Sequence, residues 1–68
     1  MIAHDLVKAE IYARRIRNDV KRRYAKAIIS AQRAGESWPA YPREISFMAA
    51  QAVHQSMEEI FGIFANLA

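Results

Sequence analysis

Three side chains have the types and spacing for acid–base or metal chemistry: His54, Glu58 and the adjacent Glu59. Residues four apart share a helix face, so His54 and Glu58 set an imidazole beside a carboxylate. Two ligands are too few for a metal site, and the His-Glu-x-x-His and Glu-x-x-His contexts that complete such sites are missing. The pair therefore reads as part of a polar face with a partly buried imidazole. The serines at 30, 37, 46 and 56 fall in no nucleophile motif, there is no cysteine, and Gly35 and Gly62 stand too far apart for a phosphate-cradling loop. No cofactor and no metal are expected, and the chain is not expected to be an enzyme.

The stronger chemical signal is cationic. Six of the ten residues from Arg14 to Arg23 are basic. Residues 1–34 hold nine basic and three acidic side chains, a net of +6, while residues 35–68 hold one basic and four acidic, a net of −3. A basic half joined to a weakly acidic half suits an anionic partner. Lys8, Arg15 and Arg22 recur every seven residues with Arg14 and Lys21 beside them, and Arg17 and Arg23 lie nearer the apolar seam. Arg14, Arg15, Lys21 and Arg22 are thus the predicted ridge, able to track phosphates or to steer an acidic protein surface. Only Tyr12 and Tyr24 interleave with the cations, and two long helices do not make a helix-turn-helix.

Apolar residues off the main stripe supply a second set of candidate contacts. Val7 and Ile11 fall on the outer face near the start, and Ile28 and Ile29 near the end of the basic half. They are predicted to extend a dimer contact or to anchor a protein partner.

These side chains need long helices to hold them. From Ala3 to Ala34 there is no Gly or Pro and alanine is frequent, so one helix is predicted over 3–34. Its stripe runs Ile2, Leu6, Ala9, Ala13, Ile16, Val20, Tyr24, Ala27, Ala31 and Ala34, stepping by threes and fours. Glu10 with Arg14 and Asp19 with Arg23 have the spacing of supporting ion pairs. Gly35 is a natural stop. The turn is predicted over 35–42, with Trp38 and Tyr41 folding inward as a plug. Pro42 suits the first turn of a second helix over 43–66. There Ile45, Ala49, Ala52, Val53, Met57, Ile60, Phe61, Ile63, Phe64 and Leu67 spread over nearly half the circumference, with Gln51, Gln55, Glu58 and Gly62 opposite. That arc is wider than one antiparallel partner covers. The surplus, Ala50, Met57, Phe61 and Phe64, is assigned to an interface with a second copy.

At 68 residues the chain is one small domain with a marginal core, and without cysteine the staple expected by elimination is oligomerisation. No apolar run approaches the 18 or so residues that span a bilayer, and Asp5 and Glu10 interrupt any secretory core. No membrane association is expected, and a reducing, cytoplasmic setting fits the absent thiols. The predicted fold is all-α, an antiparallel two-helix hairpin forming a homodimeric four-helix bundle. In plan alone it is similar to the plasmid repressor-of-primer proteins. The expected function is that of a small non-enzymatic dimer that binds and modulates another protein with an acidic surface, as a regulator or inhibitor. A phage or mobile-element protein antagonising a transcription regulator is one fitting context. The alternative is a nucleic-acid-binding regulator using the basic face of the first helix.

Overall fold

A computed structural model describes residues 3–62. The described residues form three helices: α1 (Ala3–Arg14), α2 (Asp19–Ala34) and α3 (Phe47–Phe61). Each packs on the other two, and the radius of gyration is 11.0 Å, about that of a compact chain this long. All-α is correct; a two-helix hairpin is not what one copy forms, and the likeness to the hairpin plan ends there.

The helix predicted over 3–34 breaks at residues 15–18 without help from Gly or Pro. The end of α1 tightens, with the Arg15 amide donating to Ile11 and Tyr12 carbonyls and Ile16 to Ala13. Asn18 then takes an extended conformation, and its Oδ1 accepts from the Lys21 amide at 3.0 Å. An Asn N-cap followed by an acidic first-turn residue, Asp19, is a strong helix start. The Arg22 guanidinium closes the junction by donating to the Ile16 carbonyl at 3.0 Å and the Arg17 carbonyl at 3.4 Å.

The break resets the helical wheel. Beyond it the buried face of α2 is Tyr24, Ala25, Ile28 and Ile29, whereas Ala27 and Ala34 of the extrapolated stripe face solvent. Before it the phase holds, and Ala9 and Ala13 are the buried residues of α1. Their small side chains let the other helices come close. The bulk of the core comes from Ile28, Val53 and Met57, with Phe61 and Ile45 at its margin.

Gly35 ends α2 as expected, at φ 71°. The Glu36 amide donates to Ala31 and the Gly35 amide to Gln32, the paired bonds of a Schellman cap. Gly62, predicted to lie inside a helix, is instead the left-handed cap of α3 at φ 66°. The start of α3 also moves, from 43 to 47, because the Ser46 hydroxyl accepts from the Ala49 amide at 3.2 Å and caps there. Ile45 and Ala50, both in the core, occupy the two positions of a hydrophobic staple.

Three of the four side chains assigned to a dimer seam, Ala50, Met57 and Phe61, are buried within the single chain. The break splits the predicted first helix into α1 and α2, and both pack on α3, so these three side chains find their partners within one copy. Phe64 lies outside the described residues, as do Ile2, Ile63 and Leu67. Among the described residues no helix is long and apolar enough to cross a membrane.

Candidate interaction surface

The eight predicted partner contacts divide into three groups. Val7, Ile11 and Arg14 are exposed on α1, and Arg15, the first residue past its end, is exposed as well. Steps of four from Val7 to Ile11 and three from Ile11 to Arg14 set those three on one face, with the exposed Lys8 beside Val7. Val7 and Ile11 keep 55% and 40% of their surface in solvent. Arg14 and Arg15 sit at the C-terminal end of α1, where the helix dipole favours positive charge.

Lys21 and Arg22 belong to α2, across the break, so the predicted ridge is not continuous. Both are half-buried. Arg22 is occupied at the junction, where it also meets Asp19 at 2.7 Å. Ile28 and Ile29 are core residues, which corrects their assignment as exposed anchors. The wheel that placed them outside carried α1's phase through a segment that is not helical.

A groove of about 340 Å³ runs between α1 and α2, lined by Glu10, Ala13, Arg14, Lys26, Ile29, Ser30 and Arg33. Glu10 does not pair with Arg14 as its spacing suggested. Its Oε1 accepts from Arg33 at 2.8 Å and ties the two helices together. The predicted Asp19–Arg23 pair does form, at 2.8 Å.

The imidazole and carboxylate that opened the sequence reading lie inside the molecule. The side chains of His54 and Glu58 are 8% and 10% exposed, with Nδ1 3.3 Å from Oε1. The approach is close in distance but off the line of a hydrogen bond, and Nδ1 has no bonded partner. Trp38 packs on the imidazole, its ring 4.8 Å from that of His54 and 6.2 Å from Phe61 in edge-on contacts. The indole is fixed by donating to Gln32 Oε1 at 2.8 Å. Of the predicted plug, then, Trp38 folds inward while Tyr41 stays exposed against Phe47. Burial, with Tyr41 adding to it, raises the pKa of Tyr24 above its ordinary value. A raised phenol favours the folded state below its unfolded pKa and loses that contribution as pH climbs past ten.

Phe47 and Met48 form a second exposed apolar patch with Tyr41, which the sequence reading missed. Its only signal was two bulky residues off the stripe in the first turn of α3. Among the described residues, no three His, Asp or Glu side chains are grouped to hold a metal ion. No family model, no curated protein and no solved structure matches the chain.

Proposed function

We propose that this domain binds and modulates another protein, presenting the outer face of α1 to an acidic surface with an apolar slot. The observation that carries the reading is the exposure of Val7 and Ile11 among Lys8, Arg14 and Arg15. An apolar pair four residues apart is the pattern of a helix laid into a groove. The flanking cations steer the approach and reject cationic surfaces. A face made only to follow phosphates gains nothing from an exposed valine and isoleucine.

The reading is stated for one copy of the chain, because three of the four residues that argued for a second copy, Ala50, Met57 and Phe61, are buried in the core of one copy. Its action is steric: a partner surface covered by α1 is closed to its other ligands. Regulation or inhibition of that partner follows from occupancy alone and needs no catalytic group.

Nucleic-acid binding is the second reading, and one observation favours it. The four-residue break leaves helices of 12 and 16 residues joined by a short turn, which removes the sequence-level objection to a helix-turn-helix. The outer face of α2 carries the exposed Arg23, Lys26, Ser30 and Arg33.

Affinity capture from the source organism, with and without nuclease, separates the two. Under the leading reading a protein partner survives nuclease and is lost with Val7→Glu/Ile11→Glu, whose circular dichroism and melting stay those of the parent. Capture that vanishes with nuclease, or that persists in the double variant, overturns it in favour of the second. A steep linear fall of affinity in log salt would mark phosphate contacts.

A further inference from the structure

We infer that the groove between α1 and α2 is a binding site for a small organic phosphate. Three cations converge on it from two helices, Arg14 from α1 and Lys26 and Arg33 from α2, against the single carboxylate of Glu10. The lining therefore carries a formal charge of three minus one, or +2, which matches a phosphate dianion better than a lone carboxylate. Arg14 and Lys26 have no carboxylate within ion-pair distance among the described residues. The hydroxyl of Ser30 adds a neutral donor on the same wall.

The floor has a different character. Ala13 and Ile29 are buried apolar residues that also line the groove, so its base is apolar where the body that carries the phosphate would lie. At about 340 Å³ the groove stands at the small end of ligand sites. Arginine supplies paired donors for phosphate oxygens and lysine a point charge, the combination that phosphate sites use.

Glu10 gives the site a gate of known sign. It holds Arg33 at 2.8 Å in the free protein, so an incoming phosphate competes with it for the guanidinium. Removing that carboxylate should strengthen binding even though it also removes an interhelical ion pair. A groove with a purely structural role responds in the opposite way.

The site shares Arg14 with the α1 face proposed above but rests on residues that face does not include. The test accordingly uses Lys26 and Glu10, and leaves Val7 and Ile11 untouched. ¹⁵N-labelled protein is titrated at constant ionic strength with adenosine 5′-monophosphate, inorganic phosphate and adenosine. Saturable amide shifts are expected at Ala13, Arg14, Lys26, Ile29 and Ser30 with the monophosphate, weaker ones at the same residues with inorganic phosphate, and none with adenosine. Lys26→Gln should lower the affinity about tenfold, the scale of one charge-assisted contact. Glu10→Gln should raise it severalfold. The inference is overturned by shifts that spread without saturation over Lys8, Arg15, Lys21 and Arg23. It is equally overturned if Lys26→Gln has no effect or if Glu10→Gln fails to tighten binding.

Discussion

The molecule carries two pairs of ionisable side chains at the same four-residue spacing, in opposite surroundings. Asp19 and Arg23 meet at 2.8 Å on α2 with 53% and 78% of their side-chain surface exposed. His54 and Glu58 approach to 3.3 Å on α3 with 8% and 10% exposed. In sequence the two look alike. In water the first gains little, because solvent screens it and two flexible side chains must be ordered. The second has lost most of its hydration and lies close without a hydrogen bond at Nδ1, so a change to either group falls on a site that water does not relieve. The contrast teaches that spacing places a pair while burial decides its energetic weight. Here part of that burial is set from a distance, by a loop tryptophan that is held by Gln32 and packs on His54.

The largest expected effect tests the buried pair. His54→Leu leaves the Glu58 carboxylate without its neighbour, and roughly 3 kcal/mol of stability should be lost. That lies at the lower end of the range for breaking a buried pair, since Glu58 keeps a tenth of its surface in solvent. Such a loss nearly exhausts a core of this size. The double replacement His54→Leu/Glu58→Met removes both polar groups and should return close to the parent or above it. Urea titration followed by the fluorescence of Trp38, the one tryptophan in the chain, reads both. If the double variant is as unstable as the single, the pair is not what the site depends on.

The α1 half of the candidate surface was legible in sequence, and the reason is local. Val7, Ile11 and Arg14 precede the break, where the wheel keeps its phase and face can be assigned by counting, and Arg15 is the first residue of the break. Ile28 and Ile29 follow it, and the same counting put them on the wrong side. The break itself left a trace in Asn18-Asp19, a capping residue before an acidic first turn, but unbroken helix propensity over 3–34 outweighed it. Gly35 was legible as a cap because the stripe ended there. Gly62 was not, because the apolar residues beyond it implied more helix. Glu58 was misplaced for a different reason: a glutamate on the polar arc of a wheel reads as solvent-facing, and nothing in its own helix shows that the packing of the other elements will bury it. Patterns within a helix were readable; whatever depended on how separate elements met was not.

The next effect concerns the junction that reset the wheel. Arg22 is intermediate between the two pairs, with a side chain 32% exposed that bonds to two carbonyls and to Asp19. Arg22→Ala should cost about 1 kcal/mol, the net worth of hydrogen bonds to otherwise unpaired carbonyls at a part-exposed site. In a domain this small that is a fall of about 4–8 °C in melting temperature. Arg22→Lys should recover little, because an ammonium cannot bridge the Ile16 carbonyl and Asp19 as a planar fork does. Full recovery by lysine would show that charge alone, and not the clip, holds the junction.

The smallest effect bears most directly on the comparison. Arg23→Ala breaks an ion pair whose geometry is better than that of His54 and Glu58, yet it should change stability by no more than about 0.5 kcal/mol. Asp19 retains Arg22 at 2.7 Å, so no carboxylate is left alone. In concentrated salt the difference between Arg23→Ala and the parent should vanish, since an exposed pair is screened within a few ångströms. The penalty of His54→Leu should persist there, because counterions do not reach a covered carboxylate. Melting curves of the two variants in low and high salt therefore measure the same spacing in both surroundings. An Arg23→Ala loss above about 1 kcal/mol that survives salt would mean exposure is not what separates the pairs. The difference would then have to come from the partners themselves.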